Sequence, residues 1–173
     1  MHKGRGLMYA GRGSLAPFVA SPVEVVRTML KYSDLKPGEN LYDLGCGDGR
    51  VVMMAAEEFG ANSVGVDLNK RLVSEARKNA KALGLGESVK IIHGNIFDLD
   101  LSQADVVTMY LTTRANEKVR PKLENELKKG ARIVTHDFSI PGWKQERNLK
   151  FQEGYRSHNI YLYRWAPDGS RVR

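Results

Sequence analysis

From Val23 onward, the apolar positions Val23, Val26, Met29 and Leu30 recur at the spacing of one helical face. They follow Ser21 and Pro22, a proline placed where a first helical turn accepts it, and Lys36-Pro37-Gly38 ends the run. The rhythm then shortens. Residues 41–44 read as a strand entering a glycine-rich turn, residues 51–59 as a helix, and residues 63–67 as a second strand. Asn69 caps a helix carrying Leu72, Val73, Ala76, Ala80 and Leu83, stopped by Gly84 and Gly86. Residues 89–93, 105–111 and 131–138 are further strands, with a helix over about 116–127 and a glycine stop at Gly130. Residues 149–153 and 159–165 form a closing hairpin. Strand and helix thus alternate, which predicts an α/β, doubly wound, mainly parallel sheet of seven strands with an antiparallel edge hairpin.

The length, 173 residues, suits one core, placed at 15–166 between a basic, glycine-rich and mobile tail at 1–14 and a short tail at 167–173. The single cysteine, Cys46, excludes an internal disulfide and suits the cytoplasm. No apolar run approaches the roughly 20 residues that span a bilayer, and the start lacks a signal peptide's apolar segment, so a soluble protein without a membrane partner is expected. The net charge of +7 favours anionic partners, nucleic acid among them, although the basic residues are interspersed with acidic ones as on an ordinary solvated surface.

The chemistry begins at Asp43-Leu44-Gly45-Cys46-Gly47-Asp48-Gly49. A strand ending in an acid, three alternating glycines and a helix let a ligand lie against backbone that carries no Cβ. Asp67, ending the next strand, can accept hydrogen bonds from both hydroxyls of a ribose; its alternative is to cap the helix that begins near Asn69. The spacing is not that of the dinucleotide fingerprint, and Asp43 would repel a diphosphate but attract an ammonium group. S-adenosylmethionine, with an ammonium and a sulfonium, fits; NAD does not.

With Arg50, this stretch resembles the first motif of the class I S-adenosylmethionine-dependent methyltransferases. The resemblance implies that Asn95-Ile96-Phe97 borders the adenine, although many members have Asp where Asn95 stands. It implies a cofactor site made of Phe18, Asp43, Gly45, Cys46, Gly47, Gly49, Asp67, Leu68, Asn95, Ile96 and Tyr110, releasing S-adenosylhomocysteine after transfer.

The segments after the later strands bear on the methyl acceptor. Thr108-Met109-Tyr110-Leu111 stands where enzymes of exocyclic base amines carry Asn or Asp, Pro, Pro and an aromatic, and Cys46, inside the cofactor loop, reads as a packing residue rather than a nucleophile. No cluster of acids implies a metal, and His2, His93, His136 and His158 are too scattered to form a site, although His136 and His158 lie in segments that can border the methyl pocket, where a structural role is the better reading for each. Aromatic residues remain: Phe18, Tyr110, Phe138, Trp143 and Tyr155 come from segments whose ends converge on one sheet edge. Aromatic faces hold a lysine ammonium, and desolvation lowers its pKa until the neutral amine can attack, so no strong general base is required. Tyr110, Phe138 and Trp143 are therefore acceptor-channel candidates; Trp143 has an equal reading as an anchor packing the Pro141-Gly142 turn onto the sheet.

A closer resemblance rests on Pro17-Phe18-Val19-Ala20-Ser21-Pro22, the glycine motif, Val107-Thr108-Met109-Tyr110-Leu111, His136-Asp137-Phe138 and Gly142-Trp143. These are similar to the archaeal protein lysine methyltransferases, which resemble in turn the mitochondrial lysine methyltransferases of animals and the core of the non-SET histone lysine methyltransferases. The resemblance implies methylation of exposed lysines on proteins, broad in acceptor, with residues 17–21 closing over the cofactor. The archaeal pattern often has Tyr at the position of Phe18 and Pro at that of Ala20. An RNA methyltransferase and a non-catalytic cofactor- or nucleic-acid-binding module are the alternatives.

Overall fold

The structure, a computed structural model, describes residues 15–167. The expected tails, 1–14 and all but the first residue of 167–173, lie outside the described residues. In chain order the elements are α1 (Val23–Tyr32), β1 (Asn40–Leu44), α2 (Arg50–Phe59), β2 (Asn62–Asp67), α3 (Lys70–Ala82), β3 (Val89–His93), a 3-10 turn (Ile96–Asp98), β4 (Val106–Met109), α4 (Thr113–Glu126), β5 (Arg132–His136), β6 (Arg147–Glu153) and β7 (Arg156–Arg164). They build one seven-stranded sheet in the order β3-β2-β1-β4-β5-β7-β6.

Strands β1 to β5 are parallel, and β7 runs antiparallel to both β5 and β6. The hairpin therefore inserts its second strand next to β5 and leaves β6 at the edge. The strand order reverses beside β1, and there the carboxyl ends of β1 and β4 diverge into different helices. Open α/β sheets bind their ligands in the crevice at such a point.

Alternation along the strands divides the core in two. Leu41 and Val106 pack with Val26, Leu30, Val52, Ala55 and Ala76 from α1, α2 and α3. Val107, Met109, Ile133 and Tyr163 pack on the opposite side with Ala115, Val119 and Leu123 of α4. Val25 and Met29 of α1 cover Val134, Ile160 and Leu162. The bidentate pairing of Arg27 with Glu58 at 2.7 Å ties α1 to α2 at the surface.

The hairpin strands start two and three residues earlier than expected, at Arg147 and Arg156, and three further boundaries differ for local reasons. Helix α4 starts three residues early because Thr112 caps it, its hydroxyl accepting from the Ala115 N–H at 3.2 Å, and it continues through Pro121. Strand β4 stops at Met109, two residues short, so that Tyr110 and Leu111 turn off the sheet. Strand β5 stops at His136 because Asp137 adopts φ +60°, a left-handed backbone that cannot continue a strand.

Candidate active site

The glycine turn closes against the neighbouring strand. The Gly45 and Cys46 N–H groups both donate to the Val66 carbonyl, at 2.9 and 3.0 Å, and the Gly47 N–H donates to Asp67 Oδ2 at 2.9 Å. Asp67 Oδ1 accepts from the Asn69 N–H at 2.8 Å, while Asn69 itself caps α3 by accepting from the Arg71 and Leu72 N–H groups. Asp67 thus ties the glycine turn to the entry of α3, and each carboxylate oxygen has a further lone pair for a ligand hydroxyl. Cys46 is buried with its Sγ against Gly65, where a Cβ would stand 2.8 Å away. Burial, then the charges of Asp43 and Asp67, push its thiol far up, so it is a packing residue and not a nucleophile.

Asp43 is buried beneath the turn and accepts from the Thr108 hydroxyl at 2.7 Å. Burial pushes its carboxyl up to about 7; the Thr108 hydrogen bond opposes this, and the negative charges of Asp67 and Asp48 add to it. Among the described residues, no cationic side chain contributes to its environment. A buried carboxylate in such a setting fits a ligand that brings its own ammonium group.

This burial makes both stability and ligand binding depend on pH. The native carboxyl keeps its proton up to about 7, whereas an unfolded one loses it near 3.9, so its contribution to stability is complete below about 4 and is lost as pH rises through 7. An ammonium ligand selects the ionised form. Affinity for S-adenosylmethionine should therefore fall as pH drops below about 7, by up to about tenfold per unit, and Asp43→Asn should bind weakly with a flat profile. Calorimetry across pH 5.5–8.5, an interval of about three units, checks both; a wild-type profile as flat as the variant's would remove Asp43 from the ligand's cationic end.

Above the turn lies a cavity of about 410 Å³, lined by Asp43, Gly45, Cys46 and Asp67 at its base, by Leu68, Asn95 and Ile96 at one end and by Met109, Tyr110 and Leu111 at the other. Residues 15–21 line it from the side opposite the sheet. Phe18 lies over Gly47, and Gly49 faces Ala76 of α3, so these two glycines serve close packing rather than the cavity wall. Asn95 turns its side-chain oxygen to the Phe97 N–H at 3.1 Å, which leaves its amide NH2 as the donor suited to a base edge.

Arg50, which the motif contained but residue chemistry alone did not assign, holds this arrangement together. Its guanidinium grips Asp48 with two bonds, at 3.0 and 2.6 Å, and donates to the Ser21 carbonyl at 2.8 Å. The glycine turn and the segment over the cavity are thereby joined through one fork-shaped side chain.

Beside Tyr110, though not among the residues that line the cavity, two of the four histidines meet, which corrects the reading of all four as scattered. Antiparallel pairing of β5 with β7 sets His136 opposite Ile160, so His158, two residues away, lies on the same face. The two fully buried rings share a hydrogen bond at 2.8 Å between His136 Nε2 and His158 Nδ1, and the Ser21 hydroxyl meets His136 Nδ1 at 2.8 Å. Burial pushes the His136 ring down to about 4, with Asp137 opposing and His158 and Arg156 assisting, so this ring is neutral. His136, Asp137 and His158 bring one ligand-type atom each within 4.8 Å of one another; the ring-to-ring hydrogen bond would have to break before an ion could enter. Sequence spacing held no signal for this cluster, because strand order and register create it.

Tyr110 packs its ring on His136, with centroids 3.8 Å apart, and stacks on Phe138 at 6.3 Å. Asn116 of α4 fixes the Phe138 loop by donating to the carbonyls of Phe138 and Ser139 at 3.0 and 3.1 Å. Of the three channel candidates only Tyr110 lines the cavity; Phe138 stands behind it in the stack, and Trp143 stacks on Trp165 at 5.4 Å, meets Tyr163 edge-on and donates to Glu124 at 2.8 Å. That is the anchor arrangement. Tyr155 is fully exposed at the hairpin turn.

Comparison with known proteins joins these features. The model of the ANTKMT methyltransferase domain matches residues 43–147. The chain is 43% identical to a protein-lysine N-methyltransferase of Saccharolobus islandicus over 148 residues, which is 85% of this chain and 92% of that one. It is 33% identical to the mouse adenine nucleotide translocase lysine N-methyltransferase over 74% of its own length, and spans 56% of that larger protein. Among solved structures, the RNA methyltransferase of Salinibacter ruber in complex with S-adenosyl-L-homocysteine superposes with a TM-score of 0.80 at 40% identity, covering 84% of this chain and 93% of that one. The alternating sheet, the acid before the glycine turn and the acid after the second strand are those of a class I S-adenosylmethionine-dependent methyltransferase, and the chain belongs to the ANTKMT methyltransferase domain family.

Proposed function

We propose that this protein transfers the methyl group of S-adenosylmethionine to lysine side-chain amines of proteins. The observation that carries the reading is Tyr110 on the cavity lining, standing in place of a base-amine motif with its ring packed on His136 and stacked on Phe138. The identity to a protein-lysine N-methyltransferase over nearly its whole length supports it. Asp43 would hold the ammonium of the bound cofactor, Asp67 its ribose hydroxyls, and Leu68, Asn95 and Ile96 its adenine, with Phe18 over the glycine turn. Bound there, the cofactor supplies an electrophilic methyl carbon on a sulfonium.

The protein's own part is placement and desolvation. The aromatic faces of Tyr110 and Phe138 receive an alkylammonium chain, and the partly buried surroundings favour its neutral form, which can attack once water has carried off the proton. Among the described residues no helix is long and apolar enough to cross a membrane. A reducing compartment such as the cytoplasm suits the lone buried cysteine.

Incubation with isotope-labelled S-adenosylmethionine and mixed cell protein should place label on lysine, read by mass spectrometry. The second reading, RNA methylation, is favoured by the name of the Salinibacter structure and by the net charge of +7. Label that RNase treatment removes, with none on lysine, would establish that reading instead.

A further inference from the structure

The end of β5 holds a charged group that the cofactor site does not use. Asp137 is fixed in space: its backbone N–H donates to the Asn159 carbonyl at 2.7 Å, its Oδ1 accepts from the Asn159 N–H at 2.9 Å, and its φ of +60° aims the side chain away from the strand direction. The carboxylate keeps only 18% of its surface exposed. Its second oxygen, Oδ2, accepts from the hydroxyl of Tyr110, a residue of the cavity lining, at 3.4 Å. A non-glycine residue in left-handed backbone is uncommon, and such geometry persists where the surroundings enforce it, often at functional sites.

An arginine meets that pair. Arg156, the first residue of β7, places Nη2 3.2 Å from the Tyr110 hydroxyl and 3.5 Å from Asp137 Oδ2, while its side chain remains 57% exposed. It reaches in from solvent, so the ion pair is screened and holds weakly. The neighbouring His136 ring is neutral and adds no countercharge. Asp137 is therefore a carboxylate fixed beside the Tyr110 hydroxyl and the His136 and His158 rings, matched by an arginine that reaches it from solvent.

We propose that the Asp137 carboxylate and the Tyr110 hydroxyl form the receptor for the ammonium group of the acceptor lysine, and that Arg156 is a resident cation displaced when the acceptor arrives. The receptor rests on the lysine-methylating function proposed above and gives it a binding group. A lysine ammonium brings the same charge and the same kind of N–H donors as the guanidinium, on a slimmer head. The carboxylate holds the ammonium on arrival; that nitrogen must then lose a proton to water before it takes the methyl carbon from the sulfonium, and it is cationic again after transfer, a developing charge that the carboxylate favours.

The test uses a short peptide with one central lysine, its binding to the S-adenosylhomocysteine-loaded protein measured by calorimetry and its methylation by label transfer. Arg156→Ala should tighten peptide binding several-fold and lower KM with kcat little changed. Asp137→Asn, whose amide oxygen can still accept from Asn159 and whose side chain suits left-handed backbone, should weaken binding about tenfold or more, as loss of a charge-assisted contact does. In the double variant the gain from removing Arg156 should vanish. Affinity for S-adenosylhomocysteine should be unchanged in all three, which separates the receptor from a general loss of structure. If wild-type protein labels lysine while Asp137→Asn binds and methylates the peptide as wild type does, the receptor is overturned and the function stands; if wild-type protein labels no lysine in any protein, both are overturned.

Discussion

Asp67→Ala should bind S-adenosylmethionine about a hundredfold or more weakly than wild type, because hydrogen bonds to a charged acceptor contribute about 1.5–3 kcal/mol each and the carboxylate is proposed to receive two ribose hydroxyls. The same change removes the acceptors of the Gly47 and Asn69 N–H groups, so thermal stability should fall as well. The two roles separate cleanly. Calorimetry below the melting range reports the ligand role on folded protein, and the melting temperature reports the tie between turn and helix. A variant that melts early yet binds with native affinity would leave Asp67 as a structural tie alone.

Gly47→Val should abolish cofactor binding altogether. Gly47 has φ +54°, a conformation costing an L-residue roughly 1–2 kcal/mol and a β-branched one more. A Cβ there would stand 2.3 Å from Cε2 of Phe18, so the aromatic ring would have to leave its seat over the turn. The displaced ring carries with it the segment 15–21 that closes the cavity, a segment held to the glycine turn through Arg50 and Ser21. Gly47→Ala, with the same Cβ and no branches, should be impaired in the same direction, and combining it with Phe18→Ala should restore part of the binding by clearing the steric conflict. Absence of any such rescue would place the whole effect in the backbone conformation. Calorimetry on each variant, with circular dichroism to confirm folding, measures these outcomes.

Much of the fold is legible in the sequence because the apolar rhythm changes period at each element. Val23, Val26, Met29 and Leu30 announce α1, and they are the side that meets α2 and the sheet, apart from Val23, which is exposed at the start. The second strand ends at Asp67 as expected, and Asn69 caps α3 with the two hydrogen bonds its side chain accepts. The early start of α4 is hidden because its first turn, Thr113 to Asn116, is mostly polar; the helix is set by the Thr112 cap and by packing of Ala115 and Asn116, neither of which shows in hydrophobic period. Trp143 is ambiguous in sequence for a related reason. An aromatic side chain near a sheet edge can face either a cavity or a neighbouring ring, and here Trp165, 22 positions along the chain, is the neighbour.

The proposed cofactor end of the site is legible in the sequence alone, because its chemistry is local: an acid, three glycines and a helix start within eight residues, with the second acid one strand–helix–strand unit away. Backbone conformation and charge over such a stretch follow from the residues that occupy it. At the proposed acceptor end, Tyr110 and Phe138 are candidates from sequence, but the grouping around them was decided only by tertiary structure. Ser21, Tyr110, His136, Asp137, Arg156 and His158 lie on four separate stretches of chain, and they meet because β7 inserts antiparallel beside β5 and α1 brings Ser21 across them. Register and strand order are properties of the whole sheet, set by burying many apolar side chains at once, and no short stretch of sequence carries them.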